Sequence, residues 1–279
     1  IVRGTYDLQK LRIQTGNRIV ANFKVKLGIE PGESEDKADK KAKKILKQIR
    51  MTFDKITDGC ATIPSSRQFR PEGIISEYTE LVLIAGYFDL MRHEEVHFES
   101  LRKVIHQEPL WRLYLKDVKG CGTAMTGVLL SEIDITKAKY VSSLWKYAGL
   151  DVADDGRGRS RRKEHLVEYK YINKDGEEAT RQGITFNPFL KSKLTKVLGG
   201  CFLKAGAEYA KIYRDYKCRL ENHPIYKDVS IGHRHNMAIR YMVKMFLVDL
   251  YVNWRGLEGF PVNKSYQEAK LGHVHKEAV

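Results

Sequence analysis

The chain has 279 residues, 42% of them hydrophobic, which is enough to bury a core in one or two domains and excludes a disordered or fibrous protein. Its 49 Lys and Arg against 35 Asp and Glu give a formal net charge of +14, which favours a polyanionic partner such as nucleic acid. The four cysteines form no Cys-x-x-Cys pair, so neither a zinc ribbon nor a disulfide framework is indicated. No apolar run reaches the roughly 18 residues that a membrane span needs.

Two long helices are predicted in the first part of the chain. Between residues 38 and 56, apolar side chains recur every three or four positions, which predicts an amphipathic helix with one packing face. The same spacing predicts a second helix from Glu72 to about Gln107. We therefore expect residues 1–112 to form a long, coiled-coil-like helical hairpin that pairs with a second copy of the chain.

A Gly-x-Gly sequence follows, at Gly120 and Gly122, between two predicted helical segments, the second running from Thr123 to Ile133. This pattern is typical of a helix-hairpin-helix, which grips a nucleic-acid backbone. Both glycines can adopt positive φ, which lets main-chain N–H groups at the start of the next helix point at a phosphate. An ordinary helix end is the alternative.

The most basic local run lies at residues 156–163, after a short helix predicted from Val141 to Leu150. It holds four arginines, a lysine and two glycines, which suits close contact with phosphates. A β-hairpin is then predicted, with strands at 168–172 and 179–186 joined by an Asn-Lys-Asp-Gly turn. We hold open both base stacking and simple packing for its aromatic residues, Tyr169, Tyr171 and Phe186.

The remainder of the chain is predicted to be helical. Asn187-Pro188 opens a helical region through Glu221, and a last helix is predicted from about Ile231 to Arg255. His233, Asn236, Arg240 and Lys244 recur on this last helix at steps of three and four, so they are expected to share one cationic face.

No metal site or cofactor is predicted. The His-x-His sequence at His233/His235 lacks a carboxylate or Cys partner, and residues two apart on a helix point in different directions. A second His-x-His, at His273/His275 in the tail, is interpreted as surface. Between Arg157 and Arg219 there are 16 basic and 7 acidic residues, so the second half is expected to carry the contacts. The candidate nucleic-acid-binding residues are Lys119, Gly120, Gly122, Arg157, Arg159, Arg161, Arg162, Lys163, Lys191, Lys193, His233, Arg240 and Lys244.

Several of these segments, taken in order, resemble the C-terminal domain of the bridge-RNA-guided insertion-sequence transposases. The region is also similar to the Nop-like RNA-binding domain of the Tas proteins of tandem interspaced guide RNA systems. The resemblance covers roughly Leu113 to Gly259. The segments that carry it are Val118–Gly122, Leu144–Leu150, Asn187–Lys191, Tyr209–Tyr213 and His235–Arg240.

The resemblance implies a mainly α protein, with an N-terminal helical hairpin (1–112) before a Nop-like, helix-hairpin-helix domain (113–279) that includes a small β-hairpin. It implies a guide-RNA-binding protein of an RNA-guided DNA-targeting system, with a small guide RNA and target DNA as partners. Residues 1–110 lack the alternating strands and carboxylates of the transposases' nuclease domain, so we expect a non-catalytic ribonucleoprotein component. A homodimer without membrane association, in the cytoplasm and of prokaryotic or phage origin, is expected.

Two alternatives stay open. The transposases use a serine nucleophile, and Ser160 lies at about the corresponding place, so a recombinase acting through Ser160 is one of them. The other is a helix-hairpin-helix protein that binds duplex DNA without catalysis. Because the chain begins at Ile1 and not at Met, we expect residues upstream, and a nuclease domain outside the 279 residues stays open as well.

Overall fold

The computed structural model describes residues 1–27, 35–60 and 62–263, with the side chains of residues 35–39 outside the description. The sequence His273-Val-His275 lies outside the described residues. The chain divides into two compact units, Ile1–Leu101 and Arg102–Val279. The expected fold class, mainly α with a small β-hairpin, is confirmed.

The first unit is built from three helices. They are α1 (Val2–Lys26), α2 (Glu35–Thr57) and α3 (Tyr78–Ile105), the last of which runs four residues past the unit boundary. The core that joins them consists of Ile19, Phe23, Ile45, Ile49, Phe53, Ile75, Leu81, Ile84 and Tyr87.

The expected two-helix hairpin is wrong, because α1 is a third helix of the first unit. Its buried residues include Ile19 and Phe23, but Leu11 and Ile13 are about half exposed, so apolar residues are spread around the helix and no clear stripe appears in the sequence. The predicted start of α3 is also too early. Glu72 and Ile75 instead exchange two backbone hydrogen bonds in a tight turn, which prevents a helix there.

An ion pair between a buried carboxylate and a partly buried guanidinium joins α1 to α3. Glu94 is 7% exposed and pairs with the Arg12 guanidinium, and Gln9 Nε2 donates to Glu94 Oε1 at 3.0 Å. The bond to Glu94 raises the pKa of Arg12.

The second unit contains short helices, one β-hairpin and a long C-terminal helix. Its helices are α4 (Pro109–Leu113), α5 (Thr123–Glu132), α6 (Val141–Tyr147), α7 (Pro188–Ser192), α8 (Gly199–Ala205), α9 (Glu208–Glu221) and α10 (Ile231–Leu257). Single turns of 3-10 helix lie at Leu115–Asp117, Ile135–Lys137 and Lys163–His165, and a π-helical segment at Lys193–Leu198 joins α7 to α8.

The β-hairpin forms with the expected turn. Strand β1 (Val167–Ile172) pairs antiparallel with β2 (Glu178–Gly183), and Asn173 Oδ1 accepts from the backbone N–H groups of Asp175 and Glu177. All of β1 is exposed. The hairpin therefore contributes nothing from β1 to the buried core.

Helix α10 is the central element of the second unit. Met242, Phe246 and Leu250 are fully buried along one side of it, and Phe246 packs edge-on against Phe202 of α8. At its C-terminal end, Arg255 is buried and donates to the carbonyl oxygens of Ile135 and Ala138 at 3.1 and 2.9 Å. These contacts fix α10 against α8 and the segment Ile135–Ala138.

Candidate nucleic-acid interface

The basic run predicted from the sequence lies within one folded loop, residues 151–165, which we call the arginine loop. It follows α6, and Gly149, two residues after the last residue of that helix, has φ +64° at a point where a side chain would overlap Phe186. Two backbone hydrogen bonds close the first part of the loop, from Arg159 N to Asp151 O at 3.0 Å and from Ala153 N to Arg157 O at 2.8 Å. The basic run is thus an ordered structure.

Arg159 points into the loop. Its Nε and Nη2 donate to Asp151 Oδ2 at 3.0 and 2.9 Å, and its side chain is 17% exposed. Arg157, Arg161, Arg162 and Lys163 are exposed. The sequence predicted the same phosphate-binding role for all four arginines. In the structure, Arg159 is held inside the loop by Asp151 and the other three arginines are exposed.

The carbonyl oxygen of Arg159 accepts hydrogen bonds from cationic side chains of two other elements. Lys191 of α7 donates its Nζ to this oxygen, and Arg240 of α10 donates Nη2 to it at 3.3 Å. Lys244, one turn further along α10, places Nζ 5.1 Å from the centre of the Trp145 ring. We call Arg159, Lys191, Arg240 and Lys244 the cation cluster.

Positive charge exceeds negative charge in the cation cluster. Burial lowers the pKa of Lys191 to about 8, and repulsion from Arg240 contributes. Burial also lowers the pKa values of Arg240 and Lys244. The carboxylate that opposes these shifts is Asp151, whose second oxygen, Oδ1, is buried without a hydrogen-bond partner among the described residues.

The predicted cationic face of α10 divides into two parts. Arg240 and Lys244 are partly buried against the arginine loop and Trp145, whereas His233 and Asn236 are exposed near the start of the helix. His235 Nδ1 pairs with the Tyr213 hydroxyl at 2.6 Å. Within the described parts of the chain, no group of three or more His, Cys, Asp or Glu side chains is arranged to hold a metal ion.

The Gly-x-Gly hairpin has a different basis from the one expected. Gly120 has φ +98°, and a Cβ there would lie 2.8 Å from Phe202 Cδ1 and 3.1 Å from the Cys201 carbonyl oxygen. Gly122 has φ −83° and ψ 175°, so of the two glycines only Gly120 uses the positive φ that glycine permits. Gly120 is therefore explained by its packing against α8, while Lys119 beside it is exposed.

Two other predicted residues have aromatic neighbours. Lys193 Nζ lies 5.4 Å from the centre of the Phe189 ring, and burial lowers its pKa. Phe186 is buried and packs on Gly149, so base stacking by Phe186 is excluded, whereas Tyr169 and Tyr171 are about two-fifths exposed.

Ser160 belongs to a hydrogen-bonded group that the sequence did not reveal. Its Oγ lies 2.9 Å from His165 Nδ1, and His165 Nε2 lies 3.1 Å from Asp155 Oδ2. His165 is 2% exposed. A histidine five residues after Ser160 was the available signal, but only the path of the loop shows that its ring turns back to the serine.

Asp155 is held on the other side of the imidazole. The backbone N–H of Arg157 donates to Asp155 Oδ1 at 2.9 Å, and this bond, together with His165, lowers the pKa of Asp155. The carboxylate is therefore ionised at neutral pH and faces the ring nitrogen.

No family model, curated protein or solved structure matches this chain. No helix in the described ranges is long and apolar enough to cross a membrane.

Proposed function

We propose that this protein binds a small structured guide RNA and holds its backbone while the RNA pairs with target DNA. The observation that supports RNA backbone binding is the cation cluster, in which four positive side chains face one carboxylate. The guide-RNA system, the cytoplasmic location and a homodimer come from the resemblance to the Tas proteins and from the helical first unit.

The physical argument starts from the cost of burying charge. Partly buried cations that outnumber their counter-ions are destabilised, and burial together with repulsion from Arg240 lowers the pKa of Lys191 to about 8 despite the attraction of Asp151. A phosphodiester placed beside Lys191 and Arg240 would supply the missing negative charge. Arginine and lysine are the side chains that bind phosphate oxygens most often, and most protein contacts to nucleic-acid backbone are of this kind.

The exposed rim of the site extends the same chemistry. Four exposed side chains of the arginine loop take no part in the ion pair between Asp151 and Arg159, namely Arg157, Arg161, Arg162 and Lys163. Each phosphate that they neutralise would release counter-ions, so binding is expected to weaken steeply with salt. Sequence specificity would come from base pairing by the RNA.

The first experiment is purification from cells that carry the native genomic neighbourhood, followed by sequencing of the bound nucleic acid. A discrete small RNA supports the proposal. Random RNA fragments or duplex DNA alone would contradict it and favour the DNA-binding alternative.

A charge-matched pair of variants tests the arginine loop. Replacing Arg157, Arg161, Arg162 and Lys163 by Ala should lower RNA affinity and reduce the slope of log K against log salt by up to about four. The control replaces four exposed lysines of α2 and removes the same charge. If both variants lose affinity equally, the loop assignment is wrong. The control lysines are Lys40, Lys43, Lys44 and Lys47.

A second candidate function is phosphodiester transfer by a recombinase. The contact between Ser160 Oγ and His165 Nδ1 favours it, because a serine needs a neighbouring base to become a nucleophile. This candidate predicts a covalent protein–DNA adduct on a suicide substrate that Ser160→Ala abolishes. RNA-guided binding alone predicts no adduct.

A further inference from the structure

We propose that His165 is the proton acceptor that activates Ser160 as a nucleophile toward phosphodiesters, and that Asp155 positions His165 for this role. The juxtaposition of the three side chains carries the proposal. His165 would be a catalytic residue, because it contacts the reacting oxygen, and Asp155 a positioning residue. The phosphodiester substrate rests on the second candidate function, whereas activation of Ser160 by His165 is measured separately from it.

The hydrogen bonds define the tautomer of the imidazole. The backbone N–H of Ser160 donates to His165 Nδ1 at 2.9 Å, so Nδ1 carries a lone pair and not a proton. The ring proton of the neutral imidazole therefore lies on Nε2, where Asp155 accepts it. The Ser160 hydroxyl Oγ also lies 2.9 Å from Nδ1 and shares this lone pair with the backbone N–H, so proton transfer from Oγ requires the hydroxyl to displace the backbone donor from Nδ1.

The positive charge on His165 and the negative charge on Ser160 Oγ that develop during proton transfer both face stabilising groups. When Nδ1 takes the serine proton, the resulting imidazolium faces the Asp155 carboxylate. The backbone N–H of Arg162 donates to Ser160 Oγ at 3.3 Å and would stabilise negative charge on this oxygen.

The cation cluster selects the substrate class. Lys191 and Arg240 both donate to the carbonyl oxygen of Arg159, the residue directly before Ser160. A phosphodiester bound by these cations would lie next to the serine hydroxyl. Stabilisation of the charge on a transferring phosphoryl group by Lys and Arg is a common device of phosphoryl-transfer sites.

The step balances as a transesterification. The Ser160 Oγ–P bond forms while the bond from phosphorus to one nucleoside oxygen breaks. The serine proton moves to Nδ1, and the leaving oxygen takes a proton from the imidazolium. The product is a phosphodiester between Ser160 and one strand end, which a strand hydroxyl can reverse.

A fluorophosphonate probe tests the serine without any nucleic acid. The Oγ–P bond forms and fluoride leaves, so the rate of mass increase on the Ser160 peptide measures nucleophilicity. We expect labelling of the wild-type chain, none in Ser160→Ala, and a loss of at least about 100-fold in His165→Gln. No labelling of wild-type Ser160, or equal labelling in His165→Gln, would overturn the proposal.

The positioning role of Asp155 is tested against its neighbour. Asp155→Asn should slow labelling at least about tenfold and change its pH profile between about pH 5 and pH 9. Asp154→Asn, which removes the same charge from an exposed neighbour, should do neither. If the two variants behave alike, Asp155 has no special role.

Added imidazole separates catalysis from folding. It should restore labelling of His165→Ala if the histidine supplies a base, and a failure to restore labelling of a folded variant argues against this role. RNA affinity is measured in parallel on each variant. Loss of labelling with unchanged RNA affinity separates the role of His165 from the RNA-binding proposal. Intact labelling with no covalent adduct on DNA would refute the recombinase function alone.

Discussion

The guanidinium of Arg240 occupies the space beside Gly158 where a side chain at that position would lie. A Cβ built on Gly158 would overlap Arg240 Nη1, although the backbone of Gly158 is not in the left-handed region. The absence of a side chain at residue 158 therefore lets α10 reach the arginine loop. Arg240 then donates to the Arg159 carbonyl oxygen at 3.3 Å.

Gly158→Ala is expected to weaken RNA binding more than it affects folding. The methyl group would displace the end of a flexible arginine side chain, which costs little stability, but it would remove Arg240 from the cation cluster. A lost charge-assisted contact of about 1.5 kcal/mol corresponds to about a tenfold loss of affinity. Filter binding and thermal unfolding measure the two effects.

The double variant provides the check. In an Arg240→Ala background, Gly158→Ala should cause no further loss of affinity, because its target is already absent. Gly200→Ala, where a Cβ meets nothing within 4 Å, is the matched glycine control. Additive losses in the double variant would mean that Gly158 acts independently of Arg240.

If the proposed RNA binding holds, Lys191 is expected to make the RNA affinity depend on pH. Its pKa is lowered from 10.5 to about 8 in the free protein, because burial and Arg240 disfavour its charge. A bound phosphate would favour the charged form, so affinity should fall as pH rises above about 8. Affinity titrations of wild-type protein and Lys191→Met should differ in this range, with Lys196→Met, at an exposed position, as control.

Lys191 is expected to raise the free energy of unfolding with rising pH, whereas it lowers the expected RNA affinity. Between about pH 8 and pH 10.5 the unfolded state binds more protons at Lys191 than the folded state does. The free energy of unfolding of the RNA-free protein should therefore gain a favourable contribution from Lys191 as pH rises through this window. Urea unfolding at several pH values would show a smaller rise for Lys191→Met, and an identical rise would contradict the assignment.

Local signals in the sequence predicted much of the second unit. The Asn173 to Gly176 turn and helix α5 rest on short-range chemistry, and both are close to their predicted positions. Helix α1 was missed because its exposed Leu11 and Ile13 obscure the buried stripe.

The candidate site was less accessible to sequence reasoning. The basic run indicated the loop, but the inward turn of Arg159 depends on Asp151, eight residues earlier and without periodicity. The bond from Asp155 to His165 likewise depends on how the loop closes, which no residue spacing encodes.

Glu94 is expected to stabilise the first unit. Its carboxylate is 7% exposed and satisfied by Arg12 and Gln9, so Glu94→Ala would leave the partly buried Arg12 without its counter-ion. We expect a loss of about 2 kcal/mol in the free energy of unfolding, because Arg12 retains some solvent access. Glu95→Ala, at an exposed position of the same helix, should change it by less than about 0.5 kcal/mol. Equal effects in urea unfolding would contradict the prediction.

The two glycines of the hairpin should differ sharply in their tolerance of a side chain. Gly120→Ala would place a methyl group against Phe202 and the Cys201 carbonyl oxygen, at a residue with φ +98°, and we expect a loss of about 2–4 kcal/mol. Gly122→Ala meets open space at an extended residue that begins α5, so its cost should stay below about 1 kcal/mol. Urea unfolding compares them directly. If Gly122→Ala instead lowers RNA affinity at unchanged stability, the physical reason is close approach of a backbone phosphate to the start of α5. Unchanged RNA affinity would exclude Gly122 from the interface and leave the arginine loop and cation cluster as the binding surface.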